Sequence, residues 1–296
     1  MGGFLAALGD KLAEKWLSLL VLPGLLFLAV AAGGQVLGQH HPFDGGRLSR
    51  RVDMLAAEPA AHATGTVVLV AAAVLAASAG AGLLAAALGG AVERLWLGDW
   101  PAWAAPVARA LGVRRQRRWE AAQERYREAV TARVRGTGSS DTAHLNEARN
   151  RIALARPQRP TWMGDRLLAA DSRVHRAYDL DLAFAWPRLW LVLPDAARAD
   201  LQAARAAVAT TARRGGWALL YLGVSGWWWP AAVIGPVTFL AAWYQGRAAV
   251  SAHAELVESA VDLYGRDLAA ALGVPCTDGF TREVGLAVTR AVRKGA

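Results

Sequence analysis

The polarity of the chain is organised around one stretch, Trp217 to Gln245, which carries no charged residue and is divided by Trp227-Trp228-Trp229-Pro230. An indole cluster between two apolar halves fits a hairpin that enters a membrane and returns, since aromatic belts favour the lipid–water interface. Trp229-Pro230 opposes a continuous helix, because proline lacks the N–H and restricts the residue before it. On the N-terminal side Ala197, Leu201, Ala204, Val208 and Thr211 recur at helical spacing. On the C-terminal side Val250, Ala254, Val257, Val261, Tyr264, Leu268 and Ala271 do the same. That spacing is a helix–helix seam, so each arm is expected to be one nearly continuous, antiparallel helix running out of the membrane. Gly215 to Trp229 gives only about 22 Å at ~1.5 Å per residue, short of a ~30 Å hydrocarbon core. A full crossing with local thinning is preferred over a re-entrant hairpin; both return the flanks to one side.

Two further uncharged spans lie upstream. Trp16–Leu37 contains Pro23-Gly24, a predicted kink, and Thr64–Val92 is rich in Ala and Gly. In the second span Ser78, Gly82, Ala86 and Gly90 recur every four residues. Small residues at that spacing let helix backbones approach in lipid, and the face is expected to meet another helix, within the chain or in a second copy. Residues 1–15 read as an amphipathic lead. A cleavable signal peptide, with Ala29-Val30-Ala31 as its small-residue site, is the competing reading; Asp10, Glu14 and the apolar run beyond the site favour an uncleaved anchor.

The predicted order is a lead at 1–15, a span at 16–37, an extracytoplasmic polar loop at 38–63 and a span at 64–92. A cytoplasmic helical domain follows at 93–195, a helix at 196–216, and hairpin arms at 217–229 and 230–245. A heptad helix at 246–272 and a C-terminal helix with a basic tail at 273–296 complete it. His40 to Gly46 reads as a turn, and Leu95–Pro106 as a proline-broken interfacial segment. Helices are expected over Val113–Arg135, after Asp141 and after Thr161, the last two capped by those side chains. The first two should form a hairpin. No long period-two alternation occurs, so the expected class is an all-α integral membrane protein with four transmembrane helices.

Composition sharpens this picture. The 296 residues include 13 Trp, 54% of them are hydrophobic, and the mean hydropathy is positive. The net charge of +9 falls within Glu93–Gly216, which holds 22 Arg against 13 acidic residues. Lys11, Lys15, Arg94, Arg109, Arg213, Arg214 and Arg247 flank the spans and place both termini in the cytoplasm by the positive-inside rule; Arg47, Arg50 and Arg51 argue the other way. The single cysteine, Cys276, excludes an internal disulfide and reads as a free thiol in a reducing compartment.

Candidate chemistry is sparse. Arg114, Arg115, Arg117 and Arg118 beside Trp119 fit anionic lipid head groups better than nucleic acid, given their place after a span. Asp171, His175 and Asp179 share a helix face, but Arg166, Arg173 and Arg176 nearby make a salt-bridged solvated face the preferred reading over a metal site. His40, His41 and Asp44 likewise read as a solvated turn. Asp179-Leu180-Asp181 has the form of a metal–nucleotide motif but lacks a sheet to present it, so Asp181 is read as a helix cap. No phosphate loop or nucleophile motif is found. No catalytic, cofactor or metal residue is assigned. The absence of ionisable residues in the spans weighs against a secondary transporter.

Pro160-Thr161-x-x-Gly164-Asp165, Tyr178-Asp179-Leu180-Asp181 and Trp186-Pro187-Arg188-Leu189-Trp190-x-x-Leu193-Pro194 together resemble a pattern in uncharacterised bacterial, especially actinobacterial, membrane proteins. In those a transmembrane hairpin follows the block, as here. The similarity covers roughly Pro160 to Leu272 and implies a shared architecture without an activity. Trp186, Arg188 and Trp190 read as a structural corner at the inner interface, with Arg188 free to pair with Asp181 or a phosphate. The expected function is a non-enzymatic membrane-anchored scaffold, sensor or signalling component whose helices bind a cytoplasmic protein, with homo-oligomers possible. The alternatives are an oligomeric pore or membrane-disrupting effector and a membrane enzyme using Asp179, Asp181 and Arg188.

Overall fold

A computed structural model describes residues 21–59, 63–137, 141–277 and 279–293. The N-terminal lead, the first residues of the first span and the end of the basic tail therefore lie outside the described residues, as do Ser139 and Ser140. Every regular element among the described residues is helical. They are α1 (Leu22–Leu37), α2 (Gly45–Ala57), α3 (Thr64–Leu97), a 3₁₀ turn (Ala102–Ala104), α4 (Ala105–Val134), α5 (Thr142–Ile152) and α6 (Trp162–Tyr178). After them come α7 (Leu182–Val192), α8 (Asp195–Val224), α9 (Ala231–Ala271) and α10 (Arg282–Arg293). The chain forms two compact units, 1–92 with 210–244, and 93–209 with 245–296.

In the first unit, α3 is the one helix among the described residues long and apolar enough to cross a membrane by length and composition. The apolar α1 has 16 described helical residues. Its Pro23 sits in the first described turn, and the segment before Val21, against which the predicted kink would be measured, lies outside the described residues. The hairpin breaks where the Trp-Pro pair requires: α8 ends at Val224 and α9 begins at Ala231. Each arm is one continuous helix. The tip is held by polar contacts, which the reading of its indoles as a lipid-facing belt misses. Trp227 Nε1 donates to Ala31 O at 3.1 Å, Trp228 Nε1 to Pro42 O at 3.1 Å, and Gln39 Nε2 to Ser225 O at 3.0 Å. Phe43 meets Trp229 edge-on. The tryptophans thus hold the 38–43 turn as well as presenting apolar surface.

The small-residue face of α3 is real but differs from the predicted one. Ser78, Gly82, Ala85, Gly89 and Val92 are buried, whereas Ala86 is only partly buried and Gly90 is exposed. A strict four-residue step advances about 40° per step on a helix of 3.6 residues per turn, so Gly90 lies roughly 120° from Ser78. Steps of four and three keep the seam in place. Backbones touch along it. A Cβ on Gly216 would fall on Ala85 O, and one on Gly89 would come within 2.7 Å of Arg213 Cα. Ser78 Oγ donates to Val21 O, joining α3 to the start of α1.

Two connections also differ from expectation. The 38–63 loop contains α2, capped by Asp44, whose carboxylate accepts from Arg47 N at 2.9 Å. The Gly45-Gly46 start disguises it as a turn, and none of its residues is buried. The Leu95–Pro106 segment is more regular than its prolines suggest. α3 continues to Leu97 and Gly98 ends it at φ +84°. Pro101 precedes the 3₁₀ turn, and Pro106 occupies the first turn of α4.

The second unit contains the α4–α5 hairpin, α6, α7, α10 and the polar halves of α8 and α9. Trp119 Nε1 donates to Ala153 O at 2.9 Å, and the Arg149 guanidinium lies 5.1 Å from the Tyr126 ring centre. Asp141 caps α5 and Thr161 caps α6 as the sequence predicts. The heptad seam contributes to one core cluster that includes Leu201 of α8 and Val261 and Leu268 of α9. Leu182 and Leu189 of α7 and Val288 and Val292 of α10 complete it.

Gly216→Leu is expected to cost ~1–3 kcal/mol, the range for forcing atoms into a closed site, while Gly90→Leu should be neutral because a Cβ there meets nothing within 4 Å. Thermal unfolding of the two variants in matched detergent checks this; equal melting temperatures would contradict the seam.

Candidate functional site

The residues of the sequence block come together in the second unit, where most of them serve as joints. Thr161 Oγ1 donates to Trp96 O at 2.6 Å while accepting from Gly164 N at 3.2 Å. Gly164 has to lack a side chain because a Cβ would strike Leu97 O. Asp165 is buried and fully used. Its Oδ1 accepts from Gln158 N at 2.8 Å and Arg159 N at 2.7 Å, and its Oδ2 pairs with Arg115 at 2.7 Å. Arg115 also donates to Ile152 O at 3.1 Å. The carboxylate therefore fastens the 157–160 linker to α4 and α6.

This removes Arg115 from the predicted basic surface. Arg114, Arg117 and Arg118 are exposed, while Arg115, about 80° round the helix from Val107 by the ~100° step per residue, faces inward. The predicted salt-bridged face on α6 is also corrected. Arg166 turns inward to Glu255 and Glu258 at 3.1 and 3.2 Å, Arg173 joins Glu258 at 3.2 Å, and Arg176 donates to Ser172 O. None of these reaches Asp171, His175 or Asp179. A pair of acidic residues on α9 wins because burial of Arg166 demands a close counter-charge. Among the described residues no three metal-ligating side chains cluster.

Tyr178-Asp179-Leu180-Asp181 is the seat of α10. Asp179 adopts a left-handed conformation, φ 49°, at the end of α6, and Leu180 is fully buried beneath it. Thr289 Oγ1 donates to Asp179 O at 3.1 Å and accepts from Asp181 N at 3.0 Å. Asp179 pairs with Arg282 at 2.6 Å and Asp181 with Arg293 at 2.5 Å. Those arginine hydrogen bonds hold both carboxyls below their ordinary value. Asp181 stands at the N-cap position of α7; its carboxylate pairs with Arg293, and the backbone N–H groups of Ala183 and Phe184 at the start of α7 also favour its charged form. Arg188 does not meet Asp181 either. It donates to Phe184 O at 2.9 Å on its own helix.

Trp186 and Trp190 remain after these structural roles are subtracted. One helical turn apart on α7, their ring centres are 6.2 Å apart. They line a groove of about 640 Å³ with Leu201, Gln202, Arg205, His253 and Val257. Leu189, between them in sequence, points into the core instead. Arg205 is paired with Glu93. Burial, helped by the Arg205 charge, pushes the His253 imidazole below its usual value, and its Nδ1 is buried without a partner. The groove is thus an aromatic and aliphatic wall edged by a guanidinium, an amide and a neutral imidazole, suited to holding an apolar side chain with a polar tip. It contains no nucleophile paired with a base. His253 and Arg205 were missed in the sequence because each sits on a long helix with no local motif; only the meeting of α7, α8 and α9 brings them to the tryptophans.

No family model, curated protein or solved structure matches the chain.

Asp165→Asn should cost ~3 kcal/mol, since it removes the buried carboxylate that balances the partly buried Arg115; the midpoint of denaturant unfolding measures it. The α10 seat should have an acid limit. Both carboxyls have folded values depressed from 3.8, so their contribution is complete above that value and is lost as the pH falls through the lower folded values. The protection factors of the α10 amides, exchange rates corrected for the intrinsic pH dependence, are expected to be constant from pH 7 to about 4.5 and to fall below it. A loss of protection already between pH 7 and 5 would show that these pairs do not hold the helix.

Proposed function

We propose that this chain is an integral membrane protein with four membrane segments and cytoplasmic termini, and that its second unit is a non-enzymatic scaffold or sensor domain that binds a protein partner in the cytoplasm. The observation that carries the membrane reading is the exposure of large apolar side chains on the uncharged helices of the first unit. Leu26 is 62% exposed on α1, Leu69 72% on α3 and Val237 60% on α9. A water-soluble domain rarely presents apolar surface on this scale, and lipid supplies the missing cover. Arginines beside the predicted spans support the orientation.

The partner-binding part of the reading rests on the Trp186–Trp190 groove. Paired tryptophans edged by an arginine are the residue types that dominate protein-binding hot spots. The block that includes them otherwise consists of joints, which favours a frame built to present this wall over a reaction centre. An oligomeric pore is the competing reading, favoured by Gly80 and Gly90, which stand exposed on α3 with open space around them.

Membrane fractionation tests the first statement: the full chain should stay with the bilayer after alkaline carbonate washing, and release into the supernatant would overturn it. A C-terminal fluorescent-protein fusion should glow and the matching alkaline phosphatase fusion should be silent; the opposite pair reverses the topology. A potential-sensitive dye separates scaffold from pore, since induced expression should leave the membrane potential unchanged for the scaffold and collapse it for the pore.

A further inference from the structure

The start of α4 carries a face that the domain leaves uncovered. Trp103, in the 3₁₀ turn before it, is 84% exposed, and Val107 and Leu111 are 56% and 37% exposed. Successive steps of four and three carry this line from Val107 and Leu111 to Arg114 and Arg118, all within about 40° of Val107 on a helix turning ~100° per residue. Arg117 lies beside them and is also exposed. The inward side of the same turns is occupied by Arg115, Gln116 and Trp119, bonded to Asp165, Pro157 O and Ala153 O. From Pro101 to Trp119 the chain has five arginines and no acidic residue. The face is therefore apolar at its N-terminal end, cationic further along and rigidly oriented by its bonded back. It begins six residues after Leu97, the end of the one helix among the described residues long and apolar enough to cross a membrane.

We infer that this face is an interfacial lipid-binding surface: Trp103, Val107 and Leu111 enter the headgroup layer, and Arg114, Arg117 and Arg118 grip anionic phospholipid phosphates. An amphipathic helix with arginines on its polar side and an indole on the other has the chemistry of a bilayer-surface element, and basic groups near an anionic leaflet gain directly from its surface potential. Guanidinium is the suited cation, since its planar fork matches phosphate oxygens. Charge decides the occupant. A neutral protein groove would cover the apolar turn but leave three clustered guanidinium groups without counter-charge. Arg115 is excluded from this role by its bond to Asp165. The inference rests on the membrane reading above and adds to it a lipid class and a named contact surface.

Its test uses the full-length chain with Cys276→Ser, reconstituted into nanodiscs. Val107→Cys is labelled with bimane, and a parallel preparation carries the label at Val134, 83% exposed at the far end of α4. Nanodiscs contain phosphatidylcholine alone or phosphatidylcholine with phosphatidylglycerol, each with a headgroup-depth doxyl quencher. The label at 107 should be quenched at least twofold more than the label at 134, and phosphatidylglycerol should deepen the quenching at 107. Arg114→Glu/Arg117→Glu/Arg118→Glu, all at exposed positions, should abolish the phosphatidylglycerol increment with unfolding unchanged. An unquenched label at 107 in chains that do reconstitute overturns the inference and leaves the membrane reading intact. Quenching that ignores both phosphatidylglycerol and the charge reversal overturns the assignment of anionic lipid. A chain that fails to enter nanodiscs at all overturns the membrane reading itself.

Discussion

The second unit depends on one buried carboxylate. Asp165 accepts two backbone N–H groups from the linker before α6 and one guanidinium from α4. An ionised group taken out of water is tolerated only when its lone pairs and charge are matched in place. Satisfying Asp165 therefore fixes three things together: the path of the linker, the rotation of α4 and the seating of α6. The rotation of α4 in turn decides which of its arginines face inward. Thr161 and Gly164, four and one residues earlier, add a hydroxyl bond to Trp96 O and a close approach to Leu97, so the end of α3 is joined to the same corner.

The same economy runs through the rest of this unit. Its polar residues mostly act as addresses between helices. Arg166 is drawn to Glu255 and Glu258, Tyr178 donates to Asp262 at 2.8 Å, and α10 is placed by two ion pairs and one threonine that bridges a donor and an acceptor. Exposed pairs of this kind contribute little to stability; the threonine bridge and the burial of Leu180, Val288 and Val292 supply the energy, and the charges select the register. A surface so committed to its own assembly leaves few places for a ligand. The Trp186–Trp190 groove is distinguished because its large aromatic groups are incompletely covered after every joint is made.

The first unit is built on a different principle. Its helices approach until backbone meets backbone, as at Ala85 and Gly216, and dispersion between closely apposed main chains replaces the large side chains of a soluble core. The outward faces carry Leu and Val, which interact poorly with water. Polar bonds fasten the tryptophan tip, where Trp227 and Trp228 donate to carbonyl groups of α1 and of the turn after it.

Sequence alone determined the helical class, the break at Trp229-Pro230, the long continuous arms and the caps at Asp141 and Thr161. These follow from interactions within a few residues: proline's missing donor, side-chain capping and the repeat of apolar positions. It also identified Trp186 and Trp190 as residues to watch. It did not determine the partners of the charges. Arg115 and Arg114 are neighbours with identical chemistry, yet one is paired with the buried Asp165 and the other faces out, because 100° of helix rotation separates them and only the packing of α4 sets the zero of that rotation. The small-residue seam was misread for the same reason, a four-residue repeat being out of step with 3.6 residues per turn. Asp181 was drawn to Arg293 and Arg166 to Glu255 and Glu258 over separations of roughly 90 to 110 residues. Coulomb attraction acts through space, so tertiary structure alone decides which of many carboxylates an arginine reaches.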